Sequence, residues 1–182
     1  SEEFKSKYDK LDILLNNAGL IKGKRTLTED GIEETFAVNH MGYFLFTNLL
    51  LDIIKSTDKS RIVNVSSEAH RMAFSPNFDD VNFEKNKYSS FPAYAQSKLN
   101  NILFTYELAK RLEGTSVTTN CLHPGTIASN FGQSGHPVFA FLARLAKPFL
   151  KTVEQGSQTN IYLALSKDVE NVTGKYFKNK KI

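Results

Sequence analysis

At 182 residues, with 41% hydrophobic and 12% aromatic side chains, the chain is long enough for one packed domain or the larger part of one. Its net charge of +4 is modest, and its one basic cluster, residues 175–181, reads as a solvated tail and not as a nucleic-acid surface. The single cysteine, Cys121, excludes a disulfide framework and suits a reducing, intracellular compartment. His40, His70, His123 and His136 show no metal-ligand spacing, and no apolar run of about 18 residues marks a membrane-spanning helix.

The opening Ser1-Glu2-Glu3-Phe4 reads as the last turns of a helix already under way. Residues 11–15 form a short apolar run that ends at Asn16-Asn17-Ala18-Gly19, as a buried parallel strand entering a loop does. After a loop at 20–30, Thr28-Glu29-Asp30 offers helix-start chemistry. Residues 31–55 carry Phe36, Val38, Phe44, Leu45, Leu49 and Ile53 at helical spacing, with Gly42 inside as a sign of close packing or a bend.

A second buried strand, 61–67, ends in the hydroxyls of Ser66 and Ser67. Residues 68–90 lack any period and read as a long loop, of the kind that tends to carry function. Residues 93–113 form the central helix, with an expected apolar stripe of Leu99, Ile102, Leu103, Tyr106, Ala109 and Leu112, closed by Gly114. A third strand, 116–122, ends at His123-Pro124-Gly125. Residues 126–151 include the apolar stretch 139–149. Thr152-x-x-Gln155 opens a last helix to residue 166, and residues 174–177 form a final strand.

Strand and helix alternate throughout, which predicts an α/β fold: a parallel sheet with helices on both faces. Ligands of such sheets bind outside the carboxyl ends of the strands. Asn16–Gly19, Ser66/Ser67 and His123–Gly125 therefore face one crevice, and the central helix begins at that same edge.

Within that helix Tyr94 and Lys98 are four residues apart and share a face. An ammonium beside a phenol favours phenolate, so such a tyrosine can exchange protons nearer neutrality. At about 4 Å and an effective dielectric near 20, the attraction is roughly 4 kcal/mol. The spacing also occurs at Tyr106/Lys110 and Tyr176/Lys180. Tyr106 lies about 18 Å further along the helix and is expected in the core. Tyr176 sits in the basic tail, with no hydroxyl partner nearby in sequence.

Leu15-Asn16-Asn17-Ala18-Gly19, Val38-Asn39-His40, Asn64-Val65-Ser66-Ser67, Tyr94-x-x-x-Lys98 and His123-Pro124-Gly125 occur in the order of the short-chain dehydrogenases/reductases. The chain resembles that family over nearly its whole length. Ser66-Ser67-x-Ala69-His70, the long insert before Tyr94 and Ser97-Lys98-Leu99-Asn100 resemble its retinol dehydrogenase-like branch. The resemblance implies the C-terminal part of a doubly wound Rossmann fold and reversible hydride transfer between NADP or NAD and an alcohol or carbonyl, with NADP favoured by the branch.

By resemblance, Tyr94 exchanges the proton, Ser67 holds the substrate oxygen, and Lys98 lowers the Tyr94 pKa and meets the nicotinamide ribose. Asn39 fixes a water in a relay through Lys98. Asn16, Ala18 and Gly19 line the cofactor crevice, and Pro124, Gly125, Ile127 and Ser129 border the nicotinamide. Residues 126–151 become a substrate loop, whose apolar stretch suits a retinoid, steroid or lipid aldehyde. Helices 31–55 and 93–113 become a homodimer surface.

Without the resemblance, Ser67 also reads as a turn cap, Asn39 as a structural amide, and Asn16, Asn17, Pro124 and Gly125 as turn formers. The family's first strands and Gly-rich phosphate loop are missing from the 182 residues, so the chain is expected to be one incomplete domain, unstable and inactive taken alone. A preceding segment would supply the loop and possible membrane association, on the cytosolic face of an internal membrane or in the cytoplasm. The alternative is an inactive fragment or a dimerising interaction module of the same fold.

Overall fold

The computed structural model describes residues 1–73, 76–125 and 152–182. Four strands, β1 (Ile13–Asn16), β2 (Arg61–Val65), β3 (Thr118–His123) and β4 (Tyr176–Lys178), form one sheet in that spatial order. All neighbours are parallel, with Asn16 beside Asn64, Asn64 beside Cys121, and Cys121 beside Tyr176. β1 forms one edge, where Leu15 is 42% exposed.

Alternation along β2 divides the core. Ile62 packs with Leu14, Leu50, Ile54, Leu108 and Leu112, whereas Val63 packs with Leu122, Leu163 and Phe177. Helices thus cover both faces, as in the doubly wound α/β arrangement that the alternating sequence predicts.

A short α1 (Glu2–Lys5) precedes the sheet. The predicted helix over 31–55 is instead four pieces: α2 (Glu34–Phe36), a π-turn (Ala37–Met41), α3 (Gly42–Leu49) and α4 (Leu51–Ser56). It starts at Glu33 and not at Thr28-Glu29-Asp30, because the buried Glu33 carboxylate accepts from the amides of Thr35 and Phe36 at 3.0 and 2.7 Å. Leu50, at φ −106° and ψ 4°, breaks the run between α3 and α4.

The inward face is also rotated from the expected one. Asn39, Tyr43, Thr47, Leu50 and Ile54 are buried, while Phe44, Leu45 and Leu49 are exposed.

The central helix, α5, runs Ser90–Arg111. Pro92 lies in its first turn, where a missing N–H costs nothing, and Gly114 turns the chain away at φ +82°. The expected stripe is corrected here too: Leu103 and Tyr106 are 43% and 41% exposed, so Tyr106 is not core. The buried face instead reads Ser97, Lys98, Asn101, Thr105, Leu108 and Leu112. Its first half is polar, and a search for apolar periodicity passes over it. α6 (Val153–Leu165) opens with the predicted capping box between Thr152 and Gln155.

The long loop before α5 contains two 3₁₀ turns, Glu68–Met72 and Phe78–Asp80. Asp80 fixes its middle by accepting from the amides of Glu84, Lys85 and Asn86.

Candidate active site

The carboxyl ends of β1, β2 and β3 bring the expected residues to one edge. β2 runs into Ser66 and Ser67. The Ser66 hydroxyl donates to the carbonyl of Lys98 at 2.7 Å and pins α5 to the strand end. Ser67 caps the following 3₁₀ turn, accepting from the Ala69 amide at 3.2 Å, so its turn-cap role is real. Its side chain also acts on the Tyr94 phenol, holding it lower than burial alone would.

Lys98 is 3% exposed. Its Nζ donates to the carbonyl of Val65 at 3.0 Å and lies 5.5 Å from the Tyr43 ring centroid and 5.8 Å from that of Tyr94. Two ring faces help hold a desolvated cation. Burial draws the lysine down to about 8 and holds the Tyr94 phenol above its ordinary value, with the Ser67 hydrogen bond opposing the rise. Burial is the leading cause at both groups. Tyr43 is raised too, first by burial and then by Tyr94, and its hydroxyl donates to the carbonyl of Ala18 at 2.8 Å.

Asn39 sits in the π-turn, fully buried. Its Oδ1 accepts from Leu20 N at 2.8 Å, and its Nδ2 donates to Leu20 O at 2.9 Å and to Ser97 Oγ at 3.0 Å. The side chain therefore ties the loop after β1 to α5. Gly19 lies against this junction. A Cβ there would stand 3.3 Å from Asn39 Oδ1, close enough that the amide must give, and 3.5 Å from Lys98 Nζ, in ordinary contact.

Asn16 ends β1, but its amide is turned inward, donating to Thr47 Oγ1 at 3.0 Å and Asn64 Oδ1 at 2.8 Å. Pro124 and Gly125 follow β3, with Gly125 at φ +96°. Ile127, Ser129 and the stretch 139–149 lie outside the described residues. Among the described residues no group of three or more acidic, histidine or cysteine side chains could hold a metal ion.

A cavity of about 520 Å³ opens beside Ser67, between Met72 and Phe91 on its apolar side and His123, Lys178 and Asn179 on its polar side. Glu68 anchors one wall. It accepts from Tyr176 Oη and from Lys178 Nζ, both at 2.9 Å, while its own amide donates to His123 Nδ1 at 3.2 Å. The Lys178 hydrogen bond, helped by Tyr176, holds the Glu68 carboxyl at about 2. Sequence reading found no hydroxyl partner near Tyr176 and missed this carboxylate, 108 residues away.

The chain belongs to the short-chain dehydrogenase/reductase family, and residues 1–78 match the family described as short chain dehydrogenase. Retinol dehydrogenase 14 of Mus musculus is 49% identical over 184 residues, covering 97% of this chain and 53% of that protein. The chain thus spans about half the length of the curated relatives it matches. A crystal structure of a putative uncharacterized protein from Mycobacterium Paratuberculosis is 32% identical, with a TM-score of 0.70, over 96% of this chain and 56% of that one. An angucycline C-6 ketoreductase with bound NADP, at 21% identity and a TM-score of 0.67 over 97% of this chain and 64% of its own, shares the fold.

Proposed function

We propose that this chain carries the proton-transfer half of an NAD(P)-dependent oxidoreductase that interconverts an alcohol and a carbonyl on an apolar substrate. The observation that supports it best is the grouping of Ser67, whose side chain acts on the Tyr94 phenol, with Lys98 Nζ 5.8 Å from the Tyr94 ring and a cavity that Ser67 lines. Ser67 orients the carbonyl oxygen and Tyr94 gives it a proton. Lys98 keeps positive charge near the phenolate that results and offers further N–H donors to a ribose hydroxyl. The bound nicotinamide supplies the hydride.

Gly19 supports a cofactor edge there, since a Cβ would crowd Asn39 Oδ1 at 3.3 Å. Ala18, Gly19, Pro124 and Gly125 are assigned to its edges, with Ile127 and Ser129 assigned from sequence. NADP is preferred on branch resemblance. Met72 and Phe91, with residues 126–151, favour a retinoid, steroid or lipid aldehyde over a polar sugar.

The exposed Phe44, Leu45, Leu49, Leu103 and Tyr106 support a homodimer through α3 and α5. Among the described residues no helix is long and apolar enough to cross a membrane.

The test joins this chain to the N-terminal half of the mouse relative and replaces Tyr94 by Phe. Turnover falls by about 10²–10⁴-fold, while NADPH binding, read by nicotinamide fluorescence, persists. Unchanged turnover overturns the assignment. Absence of nucleotide binding in the unsubstituted chimera favours the interaction-module reading.

A further inference from the structure

Beside Lys98, α5 presents a second buried amide that the proton transfer above does not use. Asn101 is fully buried. Its Nδ2 donates to the carbonyl of Asn39 at 2.8 Å and to that of Val65 at 3.3 Å. The Val65 oxygen is the same atom that accepts from the Lys98 ammonium at 3.0 Å. One amide therefore clips the π-turn to the end of β2, at the oxygen that seats the lysine.

The orientation of that amide is set from the other side. With Nδ2 on two carbonyls, Oδ1 faces His40 Nδ1 at 3.0 Å. An amide oxygen only accepts, so His40 must carry its proton on Nδ1. A flipped amide would place Oδ1 against two carbonyl oxygens. The His40 ring packs 5.3 Å from Phe36 and 6.2 Å from Phe104, centroid to centroid, and burial holds its pKa below the ordinary value. The imidazole is thus kept neutral, in one tautomer, as a donor.

We propose that Asn101, oriented by His40, is a positioning residue for Lys98: it fixes the Val65 carbonyl against the Asn39 carbonyl and thereby sets where the ammonium sits. The geometry stands by itself; its kinetic consequence rests on the oxidoreductase reading. Replacing the amide by a carboxylate takes the proton from both carbonyls but also buries a charge. The His40 pair, which leaves Asn101 in place, therefore separates a clip from an amide that only fills space.

The experiment uses the same chimera. Asn101→Asp lowers kcat by about 10²-fold, the scale expected when a catalytic group is displaced by about an ångström, with KM for the carbonyl substrate little changed. His40→Leu reproduces part of that loss, and His40→Asn, which keeps a donor near the Nδ1 position, restores it. Nitrogen-15 NMR finds neutral His40 with its proton on Nδ1 at about pH 8, above the ordinary histidine value of about 6.5.

A proton on Nε2, or full kcat in Asn101→Asp, overturns the proposal. If Asn101→Asp fails to fold, the His40 pair decides. If the unsubstituted chimera shows no turnover, the oxidoreductase reading falls and the Lys98 titration, followed at Cε by carbon-13 NMR, decides the positioning. The groups facing that ammonium are the Tyr43 and Tyr94 rings. The midpoint rises in His40→Leu, because a Val65 oxygen released by Asn101 serves the ammonium better, and returns in His40→Asn. A midpoint that ignores both substitutions overturns the proposal.

Discussion

The two halves of α5 face one sheet with opposite chemistry. Near its start the buried positions include the polar Ser97, Lys98, Asn101 and Thr105 beside Ala93, Ala95 and Ile102; towards its end they are Leu108 and Ala109, followed by Leu112 just past the helix. The polar half keeps partners for its groups. Ser97 Oγ donates to the carbonyl of Tyr94 and accepts from Asn39, and Thr105 Oγ1 donates to the carbonyl of Asn101 and accepts from Asn64 Nδ2. Such a network contributes little net stability per bond but is costly to leave half-made. The apolar half removes hydrocarbon from water against Leu14, Ile62 and Val117. One half holds the fold and the other holds positions.

That division can be broken from either end. Leu108→Ala in the apolar half should cost about 2–5 kcal/mol of stability, read as a lowered urea midpoint, with turnover per folded molecule retained. A loss of turnover beyond the loss of folded protein would erase the distinction. In the polar half, Asn64→Ala strips a partner from Asn16 and another from Thr105, at a cost of about 1–3 kcal/mol for stranded polar groups. Its kcat should fall more steeply than that of Leu108→Ala.

Glu68→Gln is smaller in stability. The Glu68 carboxyl is held down to about 2 from 4.5, chiefly by Lys178. Its contribution is present above about pH 4.5 and is lost as the pH falls towards 2, because a depressed carboxylate stabilises only while ionised. Parent and variant should therefore differ at pH 7 and converge through that acid window in denaturation scans. The screened, partly exposed carboxylate makes the gap about 1–2 kcal/mol, below the unscreened limit. Asp52→Ala, which breaks an exposed pair with Lys5, should leave the urea midpoint where it was.

Much of the layout was legible before the structure. Short apolar runs located the strands, and the rule about carboxyl ends gathered Ser67, Tyr94, Lys98 and Gly19 at one edge. What stayed hidden has a common cause. The inward face of α5 near Lys98 is made of Ser, Asn and Thr, which a search for apolar periodicity assigns to solvent. The same search put Tyr106 and Leu103 inside, although both are exposed. Contacts between distant segments were equally invisible: Glu68 to Tyr176, and Asn101 to the carbonyls of Asn39 and Val65. The degree of burial at Tyr94 was hidden too, since spacing fixes a shared helix face but not desolvation.

The π-turn at Ala37–Met41 has a further consequence. Such a turn holds one residue more than regular α-helix. Deleting a single residue within it would let the helix run on unbroken, swinging each side chain on its near side by about 100° relative to the far side. Asn39 and His40 would then part company with Tyr43 and Thr47, which share their inward face. Point substitutions here are graded, but a one-residue length change is all-or-none: this is where the chain counts its residues.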